Sequence, residues 1–437
     1  MKHRTKWLAC AIVLSGCGAQ AMSSASQETA SQATGTQATV APPSAPAAAT
    51  SATDSVDRSG LPDLAVMSTD GHVVVIRDGV MGKPVVGRVA ADHQTLITTS
   101  FANGTTSLAW TGLGDGREHS RLELDGDLTA VATDLSGKIV AMTRANPASA
   151  GGTEIVIVTH KGEAFRKGYA SELLPEGFSD ADSQGKLPAS LFVIEFLDPP
   201  SNDTAAPRRY RIRVLDTSTG DLALPFNLRN KGETVDESML GFSRTHVTSR
   251  RNGLLFTLYR GLGSDEANYA FVHTLGFVNG VWCLDLPSEL SLGQLPGAVV
   301  LVDGEKRLLV ASANGYVTEF VINDITDPGR QPVPTRTVKV WSANPNGGAP
   351  SLSFADGQIL VGQDDALRWI NSATLATTTT LHWDMRIEAV ALLADGDALA
   401  AGTGRISRIS PAGELTGEDY LPGDFGPVAQ IVIAGNG

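Results

Sequence analysis

The stretch GAVVLVDGEKRLLVASANGYVTEFVI, residues 297–322, contains three short apolar runs separated by two tight turns. Valine, leucine and aromatic residues fill the runs, as in β-strands, and Asp-Gly and Asn-Gly supply the positive φ angles that hairpin turns need. Similar patterns follow in SLSFADGQILVGQDDALRWI, residues 351–370, and EAVALLADGDALAAGTGRISRIS, residues 388–410. No window shows a sustained 3.6-residue period, so the sequence predicts an almost all-β domain.

This unit of strands and turns recurs with starts about 40 to 50 residues apart, a period typical of a β-propeller. Immunoglobulin-like repeats would need about 100 residues each. The pattern predicts eight blades, with seven as the alternative because residues 172–230 are irregular. One blade is shared between the two ends of the domain, and the others are predicted to begin near Val89, Leu128, Lys186, Leu240, Pro296, Pro350 and Arg386.

The two ends of the domain complement each other. The stretch GPVAQIVIAGNG, residues 426–437, has the pattern of a first strand, and LAVMSTDGHVVVIRDG, residues 64–79, has that of a second and third. We therefore expect the last strand to pair with the strand near Leu64–Ser68. That pairing would close the ring and remove the open sheet edges.

The N-terminus begins with a basic stretch and an apolar run over residues 7–14. The run is far shorter than the roughly 20 residues that span a bilayer, and is typical of a secretion signal. The following Leu-Ser-Gly-Cys, residues 14–17, resembles the lipobox of bacterial lipoproteins. This resemblance implies a signal peptide at residues 1–16 and a lipid on Cys17, with an ordinary signal peptide cut elsewhere as the alternative.

Residues 17–60 are dominated by Ala, Ser, Thr, Gln and Pro, and contain almost no large apolar side chain. Such a segment buries too little surface to offset its backbone entropy, so we expect a disordered tether. As a flexible coil it would span roughly 35 Å between its ends. The propeller domain is predicted over residues 61–437.

Charge and cysteine content narrow the function classes. The chain of 437 residues has a formal net charge of −13, which disfavours nucleic acid as a partner. Cys10 falls in the predicted signal peptide, so Cys283 would be the single thiol besides the lipidated Cys17. We predict a monomeric domain without disulfides, in which Cys283 is a buried free cysteine.

Three stretches carry a resemblance to known proteins: residues 251–261 (RNGLLFTLYRG), 268–287 (NYAFVHTLGFVNGVWCLDLP) and 308–320 (LLVASANGYVTEF). They resemble the WD-repeat and YVTN (lactonase-like) propellers of bacterial envelope proteins, and the second is similar to uncharacterised actinobacterial propeller proteins. The resemblance covers residues 61–437 and implies a binding platform. It transfers no catalytic residue, and Trp383-Asp384 is the only Trp-Asp pair.

Sequence motifs for chemistry are few. The stretch Asp180–Gly185 resembles the start of a calcium loop, but Leu191 stands where that loop needs a bidentate glutamate. HExxH, CxxC and G-x-S-x-G motifs are absent. The sequence therefore assigns no catalytic residue, metal or cofactor. His160, His246 and His273 fall in or near strands and are candidates for the channel, with a hydrogen-bonded or surface role as the simpler interpretation.

Four tryptophans, Trp110, Trp341, Trp369 and Trp383, recur about once per predicted blade. Packing between blades is the simpler interpretation, and a carbohydrate-binding ring is the alternative. The longest predicted loops, residues 175–186 and 198–208, are expected to project from the ring and contribute to binding.

Together these patterns predict a membrane-anchored lipoprotein on the extracytoplasmic face of a bacterial cell. Its propeller would bind, or act as a scaffold for, a protein, peptide or glycan of the cell envelope. The alternative is a lactonase-like or other hydrolytic enzyme, and a third possibility is a purely structural role. Three or more carboxylates or histidines at one mouth of the channel would favour the enzyme.

Overall fold

The structure is a computed structural model. It describes residues 60–179, 190–199, 208–230, 232–261, 270–276, 280–291, 297–330, 332–342, 348–402 and 404–435. The described residues are mostly strands, with two short helices, α1 (Ser288–Ser291) and α2 (Ile322–Thr326).

In the described residues the strands follow one another as mainly antiparallel units of about four strands, and the first four units occupy the first half of the domain. Their strands are β1 (Leu64–Ser68), β2 (His72–Arg77), β3 (Val80–Met81), β4 (Val85–Val89), β5 (Thr95–Ala102), β6 (Thr105–Gly112), β7 (Glu118–Asp125), β8 (Thr129–Thr133), β9 (Ile139–Ala145), β10 (Thr153–Thr159), β11 (Gly162–Gly168), β12 (Leu173–Ser179), β13 (Ser190–Phe196), β14 (Arg208–Asp216) and β15 (Leu222–Ala223).

The second half contains four further units and the strand that returns to the first unit. Its strands are β16 (Phe226–Asn227), β17 (Met239–Ser249), β18 (Leu254–Gly261), β19 (Ala270–Gly276), β20 (Gly280–Asp285), β21 (Gly297–Val302), β22 (Arg307–Ser312), β23 (Tyr316–Val321), β24 (Arg336–Lys339), β25 (Ser351–Ala355), β26 (Gln358–Asn371), β27 (Thr377–Ile387), β28 (Ala389–Leu392), β29 (Ala398–Gly402), β30 (Arg405–Ile409), β31 (Leu415–Tyr420) and β32 (Val428–Ile433).

The outer strand of one unit leads into the inner strand of the next. In β4, Val85 and Val86 pair with β2, whereas Gly87 to Val89 pair with β5. Likewise β17 pairs with β14 through its first residues and with β18 through the rest. Inner strands contact those of neighbouring units, as β8 contacts β12 and β21 contacts β25. These units are therefore the blades of a β-propeller.

The seventh unit has a hairpin inside its longest strand. The backbone N–H of Ser372 donates a 2.9 Å hydrogen bond to the carbonyl of Gly357, so the two halves of β26 lie side by side. Asp364, at the reversal, has a φ of 54°. The β25–β26 turn at Asp356-Gly357 has two positive φ angles, 44° and 77°, as expected for a tight hairpin.

Each pair of neighbouring units encloses its own apolar cluster. Trp110 packs between the second and third units and Trp341 between the sixth and seventh. Trp369 and the partly buried Trp383 pack between the seventh and eighth units. The packing interpretation of the tryptophans is confirmed, and the carbohydrate-binding ring is wrong, because these indoles fill the interfaces.

Three of these indoles also hydrogen-bond across an interface: Trp341 donates to Gln363 Oε1 of the seventh unit at 2.7 Å, and the other two donate to main-chain carbonyls. The Trp110 indole N–H donates to the Gly137 carbonyl at 3.1 Å, and that of Trp369 to the Gly396 carbonyl at 2.9 Å. Both acceptors lie in turns between the first two strands of the next unit. Each of these tryptophans therefore joins its unit to the following one.

The last strand pairs with the first, as the sequence predicts. β32 runs antiparallel to β1, with Leu64 opposite Ile433 and Val66 opposite Ile431. The eighth unit also packs on the first through an apolar cluster containing Leu64 and Leu399. Gly60 lies against β31, and its carbonyl accepts a 2.8 Å hydrogen bond from Nη1 of Arg408 on the adjacent strand β30. A Cβ at Gly60 would overlap the Thr416 carbonyl oxygen, so glycine is required there.

The predicted blade start at Lys186 is wrong. The inner strand of the fourth unit is β12, which begins at Leu173 and contains Pro175. Proline is tolerated because an inner strand is a sheet edge, where one side of its backbone makes no ladder bonds. The predicted loop over residues 175–186 is therefore wrong for 175–179, and 180–186 lie outside the described residues. Most of the predicted loop 198–208 also lies outside them.

Candidate functional site

Several inner strands contain a β-bulge, which inserts one residue without a cross-strand partner. In β8, Ala130 and Ala132 oppose successive residues of β9, which leaves Val131 as the extra residue. The same shift leaves Glu176 unpaired in β12, Arg244 in β17 and Ala429 in β32. Bulges redirect side chains and free main-chain groups from the ladder, and they are common beside functional sites.

Arg88, on the inner half of β4, extends to the bulge of the next unit. Its Nη1 donates a short hydrogen bond to the carbonyl oxygen of Val131. Its Nε is buried and has no hydrogen-bond partner among the described residues. Burial lowers the pKa of Arg88, whereas the charge of Glu176 partly opposes that shift. The guanidinium is therefore a largely enclosed cation whose hydrogen bonds are incomplete.

Glu176 occupies the bulge of β12 and faces both Arg88 and Tyr259. Burial raises the pKa of its carboxyl from 4.5 to about 7, although the Tyr259 hydroxyl donates to it and the Arg88 charge favours ionisation. The hydrogen bond and the nearby carboxylate also contribute to a raised Tyr259 pKa, whose main cause is burial. Glu176 therefore titrates near neutral pH, where a small change in its surroundings changes its charge.

His246, on the inner strand β17, completes this group. Its side chain is exposed to solvent, yet the surrounding protein and the Arg88 charge lower its pKa below the usual range. Arg88, Glu176, His246 and Tyr259, here called the channel cluster, come from three inner strands and the neighbouring β18.

An aromatic layer supports the channel cluster between the fourth and fifth units. The rings of Tyr210 and Tyr259 stack with their centroids 5.1 Å apart, and the His273 ring lies 4.6 Å from that of Tyr259. His273 is 2% exposed, and its Nε2 lies 2.7 Å from Met239 Sδ. Burial lowers the pKa of His273 to about 3, so its imidazole is neutral at physiological pH.

Of the histidines expected near the channel, His246 is exposed on the inner strand β17, whereas His273 is buried on β19. His160 is exposed in the turn between β10 and β11. Cys283 is a free cysteine among the described residues and is partly buried rather than fully buried as predicted. Burial, with lesser effects from Glu237 and Asp285, raises the pKa of its thiol to about 12, and a thiol held in its protonated form is a poor nucleophile.

The remaining candidates gain no structural support. Cys17 and the calcium-like stretch Asp180–Gly185 lie outside the described residues. Among the residues that are described, no three His, Cys, Asp or Glu side chains come together as metal ligands. Over the same part of the chain, no helix combines the length and the apolar character that spanning a membrane requires.

The sequence did not single out Arg88, Glu176 or Tyr259. The available signals were a charged residue within each of two otherwise apolar stretches, VVGRVAA and LLPEGF. A single charged residue within a strand that is predicted to be buried is a candidate functional residue. The bulges that orient these side chains have no clear sequence pattern here.

Replacing Glu176 with glutamine is expected to change how stability depends on pH. A carboxyl whose folded pKa is raised stabilises the fold below its unfolded pKa, and that contribution is lost as pH rises through the folded pKa. Between about pH 4.5 and pH 7 the wild type should therefore lose up to about 3 kcal/mol relative to E176Q.

Urea unfolding of both proteins at a series of pH values measures this difference. His246 and His273 titrate in both proteins, so their effects on stability cancel in the comparison. A difference between the two proteins that stays constant across this range would contradict a raised Glu176 pKa.

Comparisons with known proteins find similarity to solved structures of low sequence identity. No family model matches it, and no curated protein matches it. It is similar to the solved structure of BamB from Moraxella catarrhalis, at 13% identity and a TM-score of 0.45, over 76% of this chain and 86% of that one. It is also similar to Sqt1 of Saccharomyces cerevisiae, at 10% identity and a TM-score of 0.46, over 76% and 84%. The Cps50 (Swd1) β-propeller domain of Myceliophthora thermophila aligns at 10% identity and a TM-score of 0.44, over 75% and 96%.

Proposed function

We propose that this chain is a lipid-anchored extracytoplasmic protein whose propeller binds a protein, peptide or glycan of the bacterial cell envelope. The channel cluster is the observation that supports binding most directly. It places an incompletely hydrogen-bonded guanidinium on a rigid inner strand. Polar groups fixed by a scaffold lose little entropy when a ligand arrives, which is what a binding site requires.

The composition of the cluster favours binding over hydrolysis. It contains one carboxyl group and one imidazole, together with a guanidinium and a phenol. The hydrolytic alternative called for three or more carboxylates or histidines converging on one mouth. The described residues bring Glu176 and His246 to the cluster, which is short of that number.

Support for the anchor comes from the N-terminal sequence. The Leu-Ser-Gly-Cys stretch, residues 14–17, follows a short apolar run and precedes a long polar segment. A lipid on Cys17 would hold the domain at the extracytoplasmic face, and the intervening residues would set its distance from the membrane.

Labelling with radioactive palmitate in a bacterial host tests the anchor. The wild type and a Cys10→Ser control should incorporate the label and sediment with membranes. Cys17→Ser should do neither, because the acceptor thiol is gone. Label retained in the Cys17→Ser protein, or absent from the wild type, would disprove the anchor.

Site-specific photocrosslinking in intact cells tests the binding role. A crosslinking residue at Thr129, exposed on inner strand β8, should capture an envelope component. The same residue at Tyr420, 63% exposed at the end of β31, is the matched surface control. Equal capture at both positions, or capture at neither, would contradict a binding site in the channel.

A further inference from the structure

The hydrogen bonds of the Arg88 guanidinium are incomplete, and an anionic group would complete them. A guanidinium offers five N–H donors, and a charge enclosed by protein is costly unless it is paired and hydrogen-bonded. The described contacts supply the Val131 carbonyl to Nη1 and leave Nε without a partner. The carboxyl of Glu176 is close enough to interact with this charge, but it accepts its hydrogen bond from Tyr259.

The bulges next to Arg88 favour an extended peptide as the source of that anion. Val131, Glu176 and Arg244 each lie outside the cross-strand register of an inner strand. The Val131 carbonyl is occupied by Arg88, and the other main-chain groups at these bulges are freed from the ladder and can hydrogen-bond to the backbone of a peptide. A carboxylate also matches the planar fork of arginine, with which it forms paired hydrogen bonds.

We propose that Arg88 binds a carboxylate group of a peptide in the channel, in competition with the side chain of Glu176. This inference rests on the proposed binding function and assigns it a ligand chemistry. The free carboxylate takes the place of an ionised Glu176 and pairs with the guanidinium fork. The bulged strands hold the adjoining peptide backbone.

The competition makes binding depend on pH. Arg88 from β4 and Tyr259 from β18 are the described groups that act on Glu176, and Tyr210 from β14 senses its charge. His246 from β17 faces Arg88 and stays neutral above about pH 5, because its pKa is lowered. Protonated Glu176 leaves Arg88 free for the ligand, whereas ionised Glu176 occupies it. Affinity should therefore fall as pH rises through neutrality.

Calorimetric titration of the full-length protein with a matched pair of peptides tests the proposal. The probes are acetyl-trialanine with a free C-terminal carboxylate and the same peptide with a C-terminal amide. The acid should bind the wild type at about pH 5.5 and bind roughly thirtyfold more weakly at about pH 8.5. The amide should bind at neither pH.

Substitutions separate the contributions of Arg88 and Glu176 to peptide binding. Glu176→Gln should bind the acid with equal affinity at both pH values, because glutamine does not compete as an anion. Arg88→Gln should lose binding, and Arg88→Lys, which keeps the charge without the fork, should lose about tenfold. Arg209→Gln, at a guanidinium 62% exposed and paired with Asp198, is the control and should bind as the wild type does.

Three results would overturn the proposal: binding of the amide as tight as that of the acid, unchanged binding by folded Arg88→Lys, or a wild-type affinity independent of pH. Glucuronate is titrated in parallel, and tighter binding of this acidic sugar would replace the peptide with a glycan. Photocrosslinking at Thr129 separates failure of this inference from failure of the proposed function. If Thr129 still captures an envelope component but the acid peptide does not bind, the carboxylate inference fails and the binding function stands. If both capture and acid-peptide binding are lost, the binding function fails as well.

Discussion

Ending the chain at Pro427 is expected to prevent the domain from folding into a stable monomer. This change removes β32 and exposes one edge of β1, where Leu64, Ala65 and Val66 are fully buried. It also removes the buried side chains of Val428, Ile431 and Val432. At about 1.5–3 kcal/mol for each large apolar side chain, the loss is comparable to the whole stability of a typical domain.

Size-exclusion chromatography and urea unfolding measure this effect. A chain ending at Ala434 retains all of β32 and is the matched control, which should behave as the full-length protein does. Adding a synthetic peptide of residues 426–437 should partly restore the truncated chain by pairing with β1. A truncated monomer with the full-length urea midpoint would show that β32 contributes little to the fold.

Replacing Trp369 with alanine is expected to cost about 3–5 kcal/mol of the free energy of unfolding. The side chain is 1% exposed in the cluster between the seventh and eighth units. Its indole N–H also donates to the Gly396 carbonyl of the next unit. Alanine would leave a cavity, remove that hydrogen bond and loosen the attachment of the two units.

A pair of phenylalanine variants separates the hydrogen bond from the packing. Trp383 lies in the same cluster, but its buried indole nitrogen has no partner among the described residues. Trp369→Phe should therefore cost about 1 kcal/mol more than Trp383→Phe, because it alone gives up a hydrogen bond. Equal losses in urea unfolding would show that the bond to Gly396 contributes no net stability.

The sequence predicted the propeller because its evidence is local and repeated. Hairpin turns such as Asp356-Gly357 are recognisable from adjacent residues, and the predicted starts at Leu128, Pro296 and Pro350 lie immediately before β8, β21 and β25. The pairing of β32 with β1 was predictable because the N-terminal end of the domain lacks a first strand and the C-terminal end has one strand more than its own repeat needs.

The channel cluster was not predictable because it depends on contacts between distant strands. Arg88, Glu176 and His246 belong to three different units, and their proximity follows from the arrangement of the inner strands. Glu176 reaches the cluster through a bulge at a Pro-Glu-Gly stretch that the sequence predicts to be a loop. A bulge reflects a difference in length between paired strands, which is defined only once the pairing is known.

The contact between Gly60 and Arg408 determines where mechanical load enters the domain. If residues before Gly60 connect to a membrane, a pull on them reaches β30, which contains Arg408, and β31, which lies against Gly60, before it reaches β1. β1 is hydrogen-bonded on both edges, to β2 and to β32, so the force along it is shared by two ladders. A pull parallel to these strands therefore loads many hydrogen bonds at once.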